Sequence, residues 1–206
     1  MIFHRFILGQ CVTNCYLIAD DETKNGILFD APADSEKILD YAEKNGINIK
    51  YICLTHGHFD HIMALNDIKE KTGAQLMLHQ KEEKYLTDPS LSLLASVAPE
   101  VVIPKADRLL NDGDIITLDS LTFKVIHTPG HTEGGVCYLI DDVLISGDTL
   151  FSGSIGRYDL PLSNLEDELR SIKEKLLVLD DETKVYPGHG FSTTIGKQRK
   201  ENPCLI

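Results

Sequence analysis

Four times along these 206 residues a short apolar run ends in a turn that carries histidine or aspartate. YICL runs into THGHFDH, which holds His56, His58, Asp60 and His61. LTFKVI runs into HTPGHTEGG with His131, DVLIS into GDTL with Asp148, and TKVYP into GHGFS with His189. Apolar runs bounded by glycine and proline read as β-strands, and loops held by rigid strands are where chemistry is usually placed. If the four strands share a direction in two facing sheets, their ends meet at one edge. That arrangement gathers five histidines and two aspartates in one place.

The rest of the pattern fits such a fold. Strands are expected at 1–8, 14–19, 26–30, 51–54 and 74–79, then at 115–118, 121–127, 135–140, 142–146 and 183–187. Helices are expected over 35–45 with its stop at Gly46, 62–71 with its stop at Gly73, 81–86, 164–177 and 192–200. Residues 88–104 read as a loop or a short helical flap. Strands outnumber helices and helices occur in both halves. The expectation is therefore one α+β domain over 1–206, two mixed β-sheets with helices on their outer faces.

Imidazole nitrogen and carboxylate oxygen are ligands that zinc takes, and no thiolate is needed. Seven such groups exceed the four of one tetrahedral ion and match two ions that share a carboxylate, with an open position for water. His4, His79 and His127 stand apart from this pattern and read as polar surface residues. A net charge of −12 argues against a nucleic-acid partner. Two divalent ions would still leave −8 (−12 + 4), so an anionic substrate would need a local basic pocket. No apolar run approaches the roughly 18 residues of a membrane span, and the first twenty residues do not read as a signal peptide. The five cysteines form no C-x-x-C pair, and reduced thiols in a cytoplasmic protein are expected.

The stretch THGHFDH resembles the H-x-H-x-D-H signature of the metallo-β-lactamase-fold hydrolases, and TPGHT, SGDTL and PGHG are similar to that superfamily's later motifs, in order. The run GDTLFSGSIGRYDLP and the tail PGHGFSTTIG…NPCLI most resemble the short glyoxalase II-like (hydroxyacylglutathione hydrolase-like) subgroup. The resemblance covers essentially the whole chain. It implies a four-layer αββα sandwich with its site at one edge. It implies one divalent ion, zinc by preference with iron or manganese as alternatives, on His56, His58 and His131. A second ion would sit on Asp60, His61 and His189, with Asp148 bridging the two. It further implies hydrolysis of a small-molecule thioester, a hydroxyacyl-thiol, by a water activated between the ions, with Asp60 as the catalytic carboxylate.

One departure limits the resemblance. Full-length glyoxalase II carries a C-terminal helical region that helps bind glutathione, whereas this chain runs only 17 residues past His189 (206 − 189), so glutathione recognition is not carried over. Arg157 and Tyr158 follow the Asp148 loop as candidate substrate-binding residues. Arg157 would meet a substrate carboxylate, or else form a salt bridge within its loop. Competing readings are an oxidoreductase like the persulfide dioxygenases, with one iron on His56, His131 and Asp148, and a lactone or phosphodiester hydrolase of the same fold. A non-enzymatic metal-binding module is the blandest.

Overall fold

A computed structural model describes residues 1–206. The first sheet holds β1 (Ile2–Leu8), β2 (Thr13–Ala19), β3 (Asn25–Phe29), β4 (Asn48–Cys53), β5 (Gln75–His79) and β6 (Arg108–Leu110), in that order. The second is built from β7 (Ile115–Leu118), β8 (Leu121–His127), β9 (Val136–Ile140) and β10 (Val143–Gly147). After a small hairpin, β11 (Leu150–Phe151) and β12 (Ser154–Ile155), it is completed by β13 (Lys184–Pro187) and β14 (Thr193–Thr194), giving the order 14-13-10-9-8-7. Both sheets mix parallel and antiparallel neighbours.

Side chains alternate across each strand, and three apolar clusters show the layering. In β2, Tyr16 and Ile18 face the space between the sheets, where Phe29 packs at ring-centroid distances of 5.1 Å from Phe123 and 5.0 Å from Tyr138. Leu17, together with Leu28, Ile52 and Leu76, faces outward onto Ile38 of α1 (Ser35–Lys44) and onto Leu65 and Ile68. Beyond the second sheet, Leu144 and Val185 pack on Ile172, Leu176 and Ile195. Helix, sheet, sheet, helix is the αββα sandwich the sequence led us to expect.

Three segments depart from the sequence reading. The helix expected over 62–71 is two helices, α2 (Phe59–Ile62) and α3 (Leu65–Thr72). The backbone of Ala31 interrupts it: Ala31 N donates to His61 O (2.8 Å) and Ala31 O accepts from Ala64 N (2.9 Å), taking groups a continuous ladder would use. The segment expected over 81–86 tightens into a 3₁₀ turn, Gln80–Glu82, before α4 (Glu83–Thr87). Residues 88–104 are loop around the one-turn α5 (Leu94–Val97). The helix expected over 164–177 is α6 (Leu165–Ser171) widened into a π turn, where Leu177 N reaches Ile172 O at 2.8 Å. The last helix, α7 (Ile195–Glu201), closes the second outer layer.

The sheets are clasped to each other at one edge. Tyr16 Oη donates to Pro187 O (2.6 Å), Asn14 Nδ2 to Pro187 O (2.8 Å) and Gly190 O (3.0 Å), and Tyr138 Oη to Leu54 O (2.6 Å).

Candidate metal centre

The pairing makes β3, β4 and β5 mutually parallel. In the other sheet β8 and β10 both run antiparallel to β9, and β13 runs parallel to β10. The turns after β4, β8, β10 and β13 therefore open at the clasped edge and bring their side chains together. Donor atoms of His56, His58 and His131 lie within 4.8 Å of one another, as do those of His56, His61 and Asp148, and those of Asp60, His61 and His189. His58 Nδ1 and His131 Nε2 are 2.9 Å apart. His189 Nε2 lies 3.1 Å from Asp60 Oδ2 and 3.4 Å from Asp148 Oδ2.

Three observations fit this set to metal ions. His56 Nε2, His61 Nε2 and Asp148 Oδ1 are buried without a hydrogen-bond partner. His61 Nε2 and Asp148 Oδ1 face each other at 3.4 Å without hydrogen bonding. Orphaned polar atoms of this kind are rare in folded proteins, and a divalent ion is the partner their chemistry suits. The backbone also makes room for them. A Cβ on Gly188 would lie 2.2 Å from Asp148 Oδ1 and 2.8 Å from His61 Cε1, so only glycine lets this turn pass so close.

Ring orientation is fixed from behind. Asp30, at the end of β3, accepts from Thr55 N (2.7 Å), Thr55 Oγ1 (2.8 Å) and His61 Nδ1 (2.8 Å). Thr55 Oγ1 in turn lies 3.1 Å from His56 Nδ1. One buried carboxylate thus directs the Nε2 atoms of two histidines toward the centre, the outer-layer arrangement typical of metal sites. His131 Nδ1 donates to Arg157 O (2.8 Å), which turns its Nε2 inward toward His58 Nδ1. Thr13 Oγ1 donates to Asp60 Oδ2 (3.1 Å).

Two further buried carboxylates brace the loops. Glu82 accepts from Gly57 N (2.7 Å) and Gly134 N (2.8 Å), tying the His56–His61 turn to the His131 turn. Glu168 accepts from His131 N (2.7 Å). Burial pushes Glu82 up to about 7 and Glu168 up to about 8, against the pull of these N–H groups.

Burial holds His58 down at about 3 and lowers His56 and His131 as well, so these rings are neutral, as ligands must be. Burial would also lower His61 and His189. Asp30, Asp60 and Asp148 overcome this for His61, and Asp148 and Asp60 raise His189 to about 9. Burial opposes ionisation of Asp60, yet His61 and His189 hold it down at about 2.

The centre opens into a cleft of about 380 Å³, lined beyond the donors by Cys11, Phe59, Leu93, Phe151, Arg157 and Leu160. Arg157 reaches the cleft, but its guanidinium is held by Asp159. Tyr158 is half exposed and lies outside the lining. His79 and His127 are not free surface residues. His79 is buried and stacks on His127 at 4.0 Å, and His127 Nε2 donates to Glu133 O (2.9 Å). His4 stacks on Tyr41 at 3.8 Å. Asp30, Glu82 and Glu168 were not singled out in the sequence. Asp30 had a signal, since ILFD is also a β-run ending in a carboxylate, whereas Glu82 and Glu168 sit among the ordinary glutamates of helical turns.

Comparison with known proteins places this geometry in context. A family model described as the metallo-β-lactamase superfamily matches residues 8–189. The hydroxyacylglutathione hydrolase GloC of Haemophilus influenzae is 36% identical over 200 residues, covering 93% of this chain and 92% of GloC. Among solved structures, BLEG-1, a B3 metallo-β-lactamase, matches with a TM-score of 0.93 at 37% identity over 99% of both chains. TTHA1623, crystallised in a di-iron-bound form, matches with a TM-score of 0.84 at 35% identity, covering 97% of this chain and 98% of the other.

Proposed function

The chain belongs to the metallo-β-lactamase superfamily, and from that premise we propose that it hydrolyses small thioesters with two divalent ions bound. The observation that carries this reading is the convergence of three donor triads that share His56 and His61. His56, His58 and His131 would hold one ion and Asp60, His61 and His189 the other, with Asp148 between them. Imidazole and carboxylate donors suit zinc, and they equally accept iron or manganese; the similar TTHA1623 was crystallised with two irons. Ions held in this way polarise a reacting carbonyl and lower the pKa of an attacking water.

The chain's own groups define the rest. Asp60, ionised and steadied by Thr13, accepts a hydrogen bond from the attacking water and fixes its direction. A thiol leaving group has a pKa of about 8.5 and departs as thiolate without a strong acid. That suits a cleft whose side chains beyond the donors offer only Cys11 and Arg157 as titratable groups, because burial raises the Cys11 thiol and Arg157 stays charged. Amide cleavage would need the leaving nitrogen protonated and fits less well. Thioester chemistry is also what the name of the similar GloC states for that protein.

Elemental analysis of protein purified without added metal, followed by a thioester panel, tests the reading. About two ions per chain and turnover of thioesters above esters and amides are expected. One iron per chain that survives Asp60→Ala and is lost with His131→Ala would replace it with a mononuclear oxidoreductase.

A further inference from the structure

We infer that the cleft selects thioesters that are uncharged and apolar around the scissile bond, and discriminates against thiols that carry free carboxylates. The inference rests on the thioester reading above and specifies which thioesters. The loops at the clasped edge, residues 9–12, 56–61, 88–104, 128–135, 148–164 and 187–194, contain one basic residue, Arg157. Its Nε lies 2.9 Å from Asp159 Oδ1 and a terminal guanidinium nitrogen lies 2.9 Å from Oδ2, with the two side chains 67% and 64% exposed. A two-pronged pair of this kind presents a dipole to an incoming ligand, not a positive charge. The same loops carry Asp88 and Glu100, which no basic side chain pairs, and Glu133, which Lys84 neutralises, on a chain of net charge −12. Beyond the ions that the donors would hold, no unpaired basic side chain lines the mouth to attract an anionic thiol.

The walls point the same way. Phe59, Leu93, Phe151 and Leu160 line the cleft. Leu93 adopts φ +66°, a left-handed conformation that a side chain with a Cβ disfavours. Phe59 N donates to Ser92 O (2.8 Å), which latches the residue-92 turn onto the donor loop and holds Leu93 against the cleft. Such strain is retained where surrounding structure fixes it, and it clusters at ligand sites. A cleft of about 380 Å³ lies toward the small end of ligand cavities, which run from about 300 to 1,000 Å³.

The test uses the metal-loaded full chain and matched thioesters: acetyl, butyryl and hexanoyl groups, each on neutral N-acetylcysteamine and on glutathione. For a given acyl group, kcat/KM should favour the neutral thiol by about tenfold or more. Within the neutral series it should rise about fourfold per methylene, the equivalent of ~0.8 kcal/mol, until the cleft is filled. Asp159→Asn, which leaves Arg157 unpaired on an exposed loop, should narrow the gap between the two thiols. Equal or better turnover of the glutathione series, or a flat response to acyl length, overturns the inference. Calorimetric titration with ketone analogues, in which CH₂ replaces the thioester sulfur, reads the same preference without turnover. If no thioester is cleaved but the neutral, longer ketones bind tighter, the thioesterase reading falls and the cleft preference stands. Ketones that bind without regard to charge or length overturn the preference itself.

Discussion

The floor and the mouth of the cleft are built on opposite principles. On the floor the turns that carry His56 to His61 and His131 are anchored twice, by the strand behind them and by a buried partner: Asp30 for His61, Glu82 for the Gly57 and Gly134 backbone, Glu168 for His131. At the mouth the side chains are exposed. Val12 and Phe191, beside the cleft residues Cys11 and His189, are 59% and 80% exposed, and Arg157 meets only its neighbour Asp159. The difference separates two tasks. Positioning ligands demands sub-ångström constancy, and buried charge-assisted hydrogen bonds supply it. Selecting a substrate demands only shape and polarity, which surface residues alter without disturbing the floor.

The largest expected effect would break the comparison outright if it failed. Asp148→Ala removes the carboxylate placed between both donor sets. It should lower bound metal to less than one ion per chain and cut kcat/KM by more than about a hundredfold, since even outer partners of a metal site cost 10–100-fold. Retention of two ions with near-normal turnover would mean the floor is not one cooperative unit. Asp30→Asn asks whether rigidity behind the donors matters as much as the donors themselves. Metal affinity, read by competition with a chelating dye, should fall by about 10–100-fold while the fold persists. An unchanged affinity would reduce Asp30 to a structural residue.

Glu82→Gln sharpens the comparison through stability. The carboxamide turns an N–H toward Gly57 N or Gly134 N, and leaving one buried donor unpaired costs about 1–3 kcal/mol. Its pH dependence has a definite sign. Burial holds Glu82 up at about 7, so the folded metal-free chain keeps a proton that an ordinary glutamate gives up. That contribution is complete below the unfolded value of about 4.3 and is lost as pH rises through the folded one. The variant has no such proton to lose. Its deficit in urea midpoint against the parent should therefore be larger near pH ~5 than near pH ~8, and the opposite trend would place the carboxylate ionised throughout. The smallest effect belongs to the mouth. Arg157→Ala should change kcat/KM for neutral thioesters by less than about threefold, because exposed pairs contribute little. A change as large as that of Asp30→Asn would erase the distinction between floor and mouth.

What could be read in advance follows the same division. Strand-then-donor turns are visible because a β-run, a glycine or proline and a histidine are all local signals, and each of the four put its side chain where the others converge. The braces are invisible because a buried glutamate is defined by what lies across from it; Glu82 reaches residues 57 and 134, and neither is close in sequence. The division of the helix after His61 was hidden for the same reason, since it depends on the backbone of Ala31. At the mouth, the Arg157–Asp159 pair was legible only as one of two alternatives. Two residues of separation permit the contact but do not compel it.

The clasp between Asn14 and Tyr16 at one end of the chain and Pro187 and Gly190 at the other carries a consequence for biosynthesis. Donors leave the ribosome in the order His56 to His61, His131, Asp148, His189, and the last turn, though paired with β10, is also clasped to a strand made at the outset. Contacts of such long sequence separation form late. A nascent chain therefore carries only fragments of the donor set, and stable capture of metal is an event for the finished polypeptide.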